Sequence, residues 1–293
     1  MTHLKVSIII TAYREASTIG RAIEALRPQS TGAEILVVCP DDETAAASAA
    51  YEEVTIVRDP GKGKPAALNV ALQQAGGEII VMTDGDVYVG DDALPALLAP
   101  FDDPQTGAAS GRPISTSPRD TMLGYWSHLL TDAGAHVERA MREKNAQFMV
   151  CSGYLYAIRA GLIDTIPEDA LAEDAVVSHL IGQQGYRIRY AAEAMVFIKY
   201  PDTYRDWLRQ KVRSAGGYAQ PIIANSPLRM RSFRHEAIAG AQRALKYPQN
   251  LKEFVWTLVQ FMARLHMWLL ILWRVRVLKT PLTTLWKRVE STK

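Results

Sequence analysis

Three short clusters in this chain carry side chains suited to chemistry. Thr83-Asp84-Gly85-Asp86 sets two carboxylates one residue apart, directly after the apolar run Glu78-Ile79-Ile80-Val81-Met82. Such a run reads as a buried strand of a parallel sheet. Two hard oxygen donors at a strand end suit Mg²⁺ or Mn²⁺, which completes its shell with water and substrate phosphates. Standing alone, an Asp-x-Asp also suits a solvated acidic turn, and this is the only one in the chain. The second cluster is Gly61-Lys62-Gly63-Lys64, with Asn69 shortly after it. The third is Glu173-Asp174 at the start of a helical pattern, where acids also serve simply to balance a helix dipole.

The elements that position these clusters follow from hydrophobic pattern. Val6–Ile10, Glu34–Cys39, Val54–Val57 and the run ending at Asp84 read as strands. Helical patterns lie between them: Ser17, a plausible cap, to Leu26; an Ala-rich helix opened by Asp41-Asp42-Glu43-Thr44; and Pro65–Gln74. Four strand–helix alternations indicate an α/β fold with a doubly wound, mostly parallel sheet. In open α/β sheets the ligand sits beyond the carboxyl ends of the strands. Four loops meet there: Thr11–Glu15, which includes Tyr13, then Asp41–Thr44, Gly61–Asn69 and Asp84–Asp86. They offer carboxylates for a metal and a ribose and lysines for phosphates, which together suit a metal-bound nucleoside diphosphate. Later segments read as a strand over 107–112, a long helical stretch over 122–144 and a strand over 152–158. A helix over 172–181 and short strands over 186–190 and 194–199 follow.

Several classes are poorly supported. No glycine precedes Gly20 in the first strand–helix turn, so a dinucleotide fingerprint is missing, and Lys64 is followed by Pro65 rather than the Ser or Thr of a P-loop. No G-x-S-x-G elbow is present. Cys39 and Cys151 have no metal-type spacing and read as inert core thiols. The net charge of +2 conceals an asymmetry: residues 1–198 hold 15 Lys+Arg against 26 Asp+Glu, and residues 199–293 hold 18 against 5. A basic end of this kind suits a polyanionic surface. Phe254–Trp273 is apolar and about long enough to span a bilayer, yet Arg264 falls at its centre at a cost of roughly 2.5–3.5 kcal/mol. With Gln260, His266, Trp256, Trp268, Trp273 and Trp286, and with Arg274, Arg276, Lys279, Lys287 and Arg288 beyond, a helix lying in the headgroup region accommodates the pattern better than a span. Lipid is therefore expected rather than nucleic acid. The N-terminus enters a strand at once with no signal peptide, so the cytoplasmic face of a membrane is the expected location.

Taken in order, the motifs resemble those of family 2 glycosyltransferases with the GT-A fold. Val6-Ser7-Ile8-Ile9-Ile10-Thr11-Ala12-Tyr13-Arg14-Glu15 resembles the family's opening strand and loop, and Gly63-Lys64-Pro65-Ala66-Ala67-Leu68-Asn69 is similar to its G-K-x-x-A-L-N element. Asp84-Gly85-Asp86 matches its metal-binding D-x-D. Ser152-Gly153 through Arg159 resembles its acceptor-side segment, Ala172-Glu173-Asp174 its E-D element, and Gln210-Lys211-Val212-Arg213 the Q-x-x-R of polysaccharide synthases. The resemblance covers residues 4–217. It implies donor contacts from Thr11, Tyr13, Glu15, Asp41, Lys64, Asn69, Asp84, Gln210 and Arg213, and a metal on Asp86 and Asp84. It also implies acceptor contacts from Ser152, Gly153 and Glu173, with Asp174 as catalytic base.

Two departures stand out. Cys39-Pro40-Asp41-Asp42 replaces a more usual Asp-Asp-Gly-Ser, which shifts the base-contacting carboxylate by one or two positions, and Ser214 replaces the Trp that usually follows Q-x-x-R. The implied reaction is inverting: one sugar moves from a nucleoside-diphosphate sugar, commonly UDP-linked, to a hydroxyl of a lipid-linked or saccharide acceptor. The domain expectation is a catalytic domain over 1–217 and a basic, Trp-rich helical extension over 218–293. Two alternatives stay open at this stage: a nucleotidyltransferase that makes sugar nucleotides, and a non-catalytic nucleotide- or nucleic-acid-binding protein.

Overall fold

Six consecutive residues, Val6–Thr11, are buried along their whole length and form β1, so both faces of this strand must be covered. The same holds for five of six residues in β2 (Glu34–Cys39) and in β4 (Ile79–Asp84). β3 (Val54–Arg58) is half-exposed at the sheet edge. The computed structural model describes residues 4–218, 220–228 and 240–273. β1 to β4 are parallel in the order β3-β2-β1-β4, with Thr11 opposite both Val38 and Asp84. Their carboxyl ends therefore terminate side by side.

Side chains alternate between two cores because the strand period is two. Ile8, Ile10, Val37 and Val81 face a cluster closed by α1 (Ile19–Leu26) and, later in the chain, α4 (Ala93–Leu98). Ile9, Leu36, Ile80 and Met82 face a second cluster closed by α3 (Lys64–Gln74) and α7 (Glu173–Gln183). Burial of each such side chain contributes roughly 1.5–3 kcal/mol. α2 (Asp42–Ser48) flanks β2 and β3.

The second half of the sheet is mixed. β5 (Tyr88–Val89), β6 (Thr106–Ser115), β7 (Leu155–Arg159) and β8 (Arg187–Ile198) extend the order to β3-β2-β1-β4-β7-β6-β8-β5. β7 inserts antiparallel between β4 and β6, while β8 runs parallel to β6. The two short strands expected over 186–199 are one strand. A register irregularity opposite Ser110–Arg112 carries it through Ala191–Glu193, a stretch that reads locally as a break. The long helical stretch is α5 (Met122–Leu129) and α6 (Val137–Lys144), joined by a wider π-type turn over Leu130–His136. The first helix starts at Ile19 after Thr18, one residue later than a cap at Ser17 would have it.

Beyond the sheet come α8 (Tyr204–Gly217), the short α9 (Pro221–Ala224), α10 (Ala241–Lys246) and the long α11 (Leu251–Leu272). α11 packs on α5 and α8. Its buried stripe is Glu253, Thr257, Gln260, Ala263, Met267 and Ile271, and its outward face is apolar. Polar residues thus face the protein over the first half of the helix, the reverse of a soluble surface helix. Trp286, Arg274, Arg276, Lys279, Lys287 and Arg288 lie outside the described residues.

Candidate active site

The strand ends set the first groups. Thr11 donates through Oγ1 to Asp84 Oδ1 at 3.0 Å, and the Gly85 amide donates to the Thr11 carbonyl at 2.9 Å. A side chain at Gly85 would meet Glu15 Oε2 at 2.7 Å and Ala12 Cβ at 2.8 Å, so only glycine lets the two loops close this tightly. Tyr13 is 40 % exposed at the rim. Asp86 lines the same cavity as Thr11, Tyr13, Glu15 and Asp84.

Asp41, expected as a donor contact, is engaged at the start of its own helix. It caps α2, accepting from the Thr44 amide at 2.9 Å and the Thr44 hydroxyl at 2.7 Å, and its second oxygen accepts from the Arg14 amide at 2.7 Å. Burial pushes its carboxyl up, but these hydrogen bonds outweigh it and hold the group below its ordinary range. The cavity wall at this strand end is formed instead by Pro40 and Asp59. Asp59 accepts from the Gly61 amide at 2.7 Å, and burial raises its carboxyl. The signal for it in the sequence was its position directly after β3, comparable to that of Asp84 at the end of β4. Asn69, expected among the donor contacts, is engaged by a loop instead. Its amide donates to the Ile166 carbonyl and accepts from the Ile166 amide, both at 2.8 Å, and it is not part of the cavity wall.

Lys64 is the junction of the site. Its Nζ lies 2.6 Å from Asp84 Oδ1 and 3.1 Å from Glu173 Oε1, and it donates to the Gly153 carbonyl at 3.1 Å. Burial works against its charge, yet the two carboxylates dominate and hold the ammonium protonated well above its ordinary range. A lysine expected to meet phosphate thus first ties the strand-end carboxylate to the start of α7.

Asp174 sits one residue further along that helix. Its Oδ2 accepts from the Gly153 amide at 3.0 Å and its Oδ1 from the Ala175 amide at 2.9 Å. A side chain at Gly153 would lie 3.2 Å from Asp174 Oδ2, so glycine keeps the carboxylate open to the cavity. Burial first, then repulsion from Glu173, pushes the Asp174 carboxyl up to about 6, with Lys64 opposing. Ser152 lines the cavity beside it, its amide held by Ser110 Oγ at 2.9 Å. Gln210 and Arg213 of α8 complete this side, beside Tyr154 and Tyr200, with Lys211 Nζ 4.9 Å from the centre of the Tyr200 ring. Burial, aided by Tyr200 and Asp86, keeps the Tyr154 phenol protonated.

The cavity measures about 1290 Å³, ample for a nucleotide sugar and part of an acceptor. Sequence reasoning missed one wall altogether: Phe261, Arg264, Met267 and Trp268 of α11 line it. Among the described residues no group of three or more His, Cys, Asp or Glu forms a cation cage. Two carboxylates facing a cavity remain compatible with Mg²⁺ or Mn²⁺, which needs only one or two when substrate phosphates and water supply the rest.

Known proteins carry the same pattern. The family model described as glycosyl transferase family 2 matches residues 7–166. The chain is 27% identical over 236 residues to a Bacillus subtilis (strain 168) protein named "Probable glycosyltransferase YdaM", covering 75% of this chain and 56% of the relative. It is 27% identical over 178 residues to an N-acetylglucosaminyltransferase of Rhizobium meliloti (strain 1021), covering 57% and 42%. The chain thus spans about half the length of the curated relatives it matches. Among solved structures it is similar to the mannosyltransferase PcManGT from Pyrobaculum calidifontis in complex with GDP-Man and Mn²⁺. The TM-score there is 0.63 at 20% identity, over 96% of this chain and 84% of that one, which establishes a shared fold.

Proposed function

The chain belongs to glycosyl transferase family 2, and from that premise we propose that it transfers one sugar, with inversion, from a nucleoside-diphosphate sugar to an acceptor hydroxyl. The observation that carries this reading is a single cavity holding the strand-end pair Asp84 and Asp86 together with the buried carboxylate of Asp174. The donor diphosphate lies over the strand ends, with its base toward Tyr13 and Asp59 and its phosphates toward Arg213. Asp86 and Asp84 would hold Mg²⁺ or Mn²⁺; Thr11 and Lys64 engage only one of the two Asp84 oxygens. When bound there, such an ion would supply neutralisation of charge on the leaving diphosphate. Complexes of relatives with GDP-Man and Mn²⁺, or with UDP and Mn²⁺, support this assignment.

Asp174 then takes the acceptor proton as the hydroxyl oxygen attacks the anomeric carbon from the face opposite the diphosphate. A carboxyl near 6 is ionised at neutral pH yet basic enough to accept a proton in the transition state. Glycine at 153 leaves room for the acceptor beside it, and the Gly153 amide fixes the carboxylate's orientation.

The acceptor is lipid-linked or saccharide, and the protein works at the cytoplasmic face of a membrane, held by α11. That helix is long and apolar enough to cross a bilayer, and only 28% of its most apolar stretch is buried inside the protein. A screen of nucleotide sugars with Mn²⁺ or Mg²⁺ tests the reading. Release of nucleoside diphosphate, with an inverted anomeric product by NMR, is expected. Release of pyrophosphate from a nucleoside triphosphate would instead make the protein a nucleotidyltransferase.

A further inference from the structure

α8 and α11 both line the cavity, and their buried polar atoms are incompletely satisfied. Trp207 Nε1, Gln210 Oε1 and Gln260 Nε2 have no hydrogen-bond partner among the described residues. All three side chains line the cavity, and Trp207 and Gln260 are only 1 % and 2 % exposed. An orphaned buried donor costs about 1–3 kcal/mol. Two of them in the wall of one cavity are accounted for when a ligand brings the acceptor atoms.

The surroundings specify the ligand's charge. Arg264 lies one turn after Gln260 and lines the same cavity, as do Lys211 and Arg243. Glu138, an acid of the same cavity, is already held by Arg142 at 2.7 Å and Arg243 at 2.9 Å. An indole N–H, an amide NH₂ and a guanidinium together suit an oxyanion. The surroundings also specify a route outward. Trp268 lines the cavity and is still 40 % exposed, and it leads to the outward apolar residues Leu265 and Leu269.

Building on the transfer reaction assigned above, we propose that the α8–α11 wall binds the phosphate of a lipid-borne acceptor. Trp207 Nε1 and Gln260 Nε2 donate to the phosphate oxygens, and Arg264 supplies charge. The acyl or alkyl chain leaves past Trp268 onto the apolar face of α11. This arrangement places the phosphate of the acceptor on one helix pair and its hydroxyl at Asp174, so chain and sugar are oriented at once.

The test is calorimetry on the full chain with UDP and Mn²⁺ present, using decyl phosphate, inorganic phosphate and decanol as probes. Decyl phosphate is expected to bind about tenfold or more tighter than either other probe, since each half of it gains separate contacts. Trp207→Phe and Gln260→Leu are each expected to weaken decyl phosphate about tenfold, the scale of one charge-assisted hydrogen bond, without weakening decanol. Because Gln260→Leu removes an orphaned donor, its melting temperature should not fall, which separates lost binding from lost folding. Equal affinity for inorganic and decyl phosphate would overturn the lipid assignment in favour of a soluble phosphorylated ligand. Equal affinity for decanol and decyl phosphate, or variants that bind like the parent, would overturn the phosphate subsite. Failure of UDP to bind counts against the proposed transfer reaction, and the three probes still rank the subsite without it.

Discussion

At the residue scale the site depends on how one lysine partitions between carboxylates. Lys64 holds Asp84 and Glu173 and lowers the proton affinity of Asp174, which burial and Glu173 raise. A general base must be ionised to act, so transfer should lose about tenfold per pH unit below about 6. Lys64→Met removes the cation that opposes the upward shift. The acid limb of the pH–rate profile should therefore move to higher pH, and a limb that stays in place or falls would show that Lys64 does not act on Asp174. Asp174→Asn should cut turnover by about 10²-fold or more while nucleotide binding persists, read by single-turnover kinetics beside calorimetry. Full activity of Asp86→Ala in EDTA would remove the metal from the proposal.

Elements hold these residues through ties that span the chain. The start of α11 is fastened by Arg119, whose Nε and Nη2 donate to the two oxygens of Glu253 at 2.9 and 3.0 Å while Nη1 donates to the Tyr247 hydroxyl at 2.8 Å. Tyr125 and Thr257 share a hydrogen bond at 2.7 Å, and Trp126 Nε1 donates to the Trp256 carbonyl at 2.7 Å. The Glu253 side chain is only 7% exposed, so its pairing dominates its ionisation and holds its carboxyl below the ordinary range. Arg119→Leu leaves that carboxylate buried and unpaired, at a cost of about 3 kcal/mol. Thermal unfolding of this variant should show a clear loss, and Arg119→Leu combined with Glu253→Leu should recover part of it. No recovery in the double variant would mean the pair is not the fastening.

For the whole molecule, the question is what covers the outward face of α11. Leu258, Met262, Leu265 and Leu269 are exposed along one stripe, whereas Thr257, Gln260 and Ala263 face α5 and α8. The residues past 273 add basic charge in sequence, and each such charge near an anionic surface is worth on the order of 1 kcal/mol. Replacing the four exposed residues with Glu should release the protein from anionic liposomes in a sedimentation assay, with little change in melting temperature because no packed side chain is lost. Sedimentation equal to the parent would place the attachment elsewhere. Cutting the chain before α11 is a different experiment: it would also strip cover from Tyr125, Trp126 and Trp207, and so should destabilise the catalytic half.

Whatever depends on local pattern was legible in the chain. β1, β2 and β4 announce themselves as continuous apolar runs because strands covered on both faces cannot alternate, and Asp84 and Asp86 are found because a strand must end before its loop can bind. The apolar length of Phe254–Trp273 was equally plain. Tertiary structure decided what depends on pairing between distant residues. β7 enters the sheet antiparallel, and no local preference encodes direction. Asp41 serves its own helix while Asp59 faces the cavity, a choice made by the Arg14 amide and Thr44 rather than by residue type. Lys64 meets Glu173 only because α7 begins beside the end of β4. α11 turns Thr257 inward where the Tyr125 hydroxyl of α5 meets it, and Gln260 inward against a wall that leaves its Nε2 unfilled. Which face of an apolar helix meets the protein is set by the partner's surface, and that surface exists only once the chain has folded.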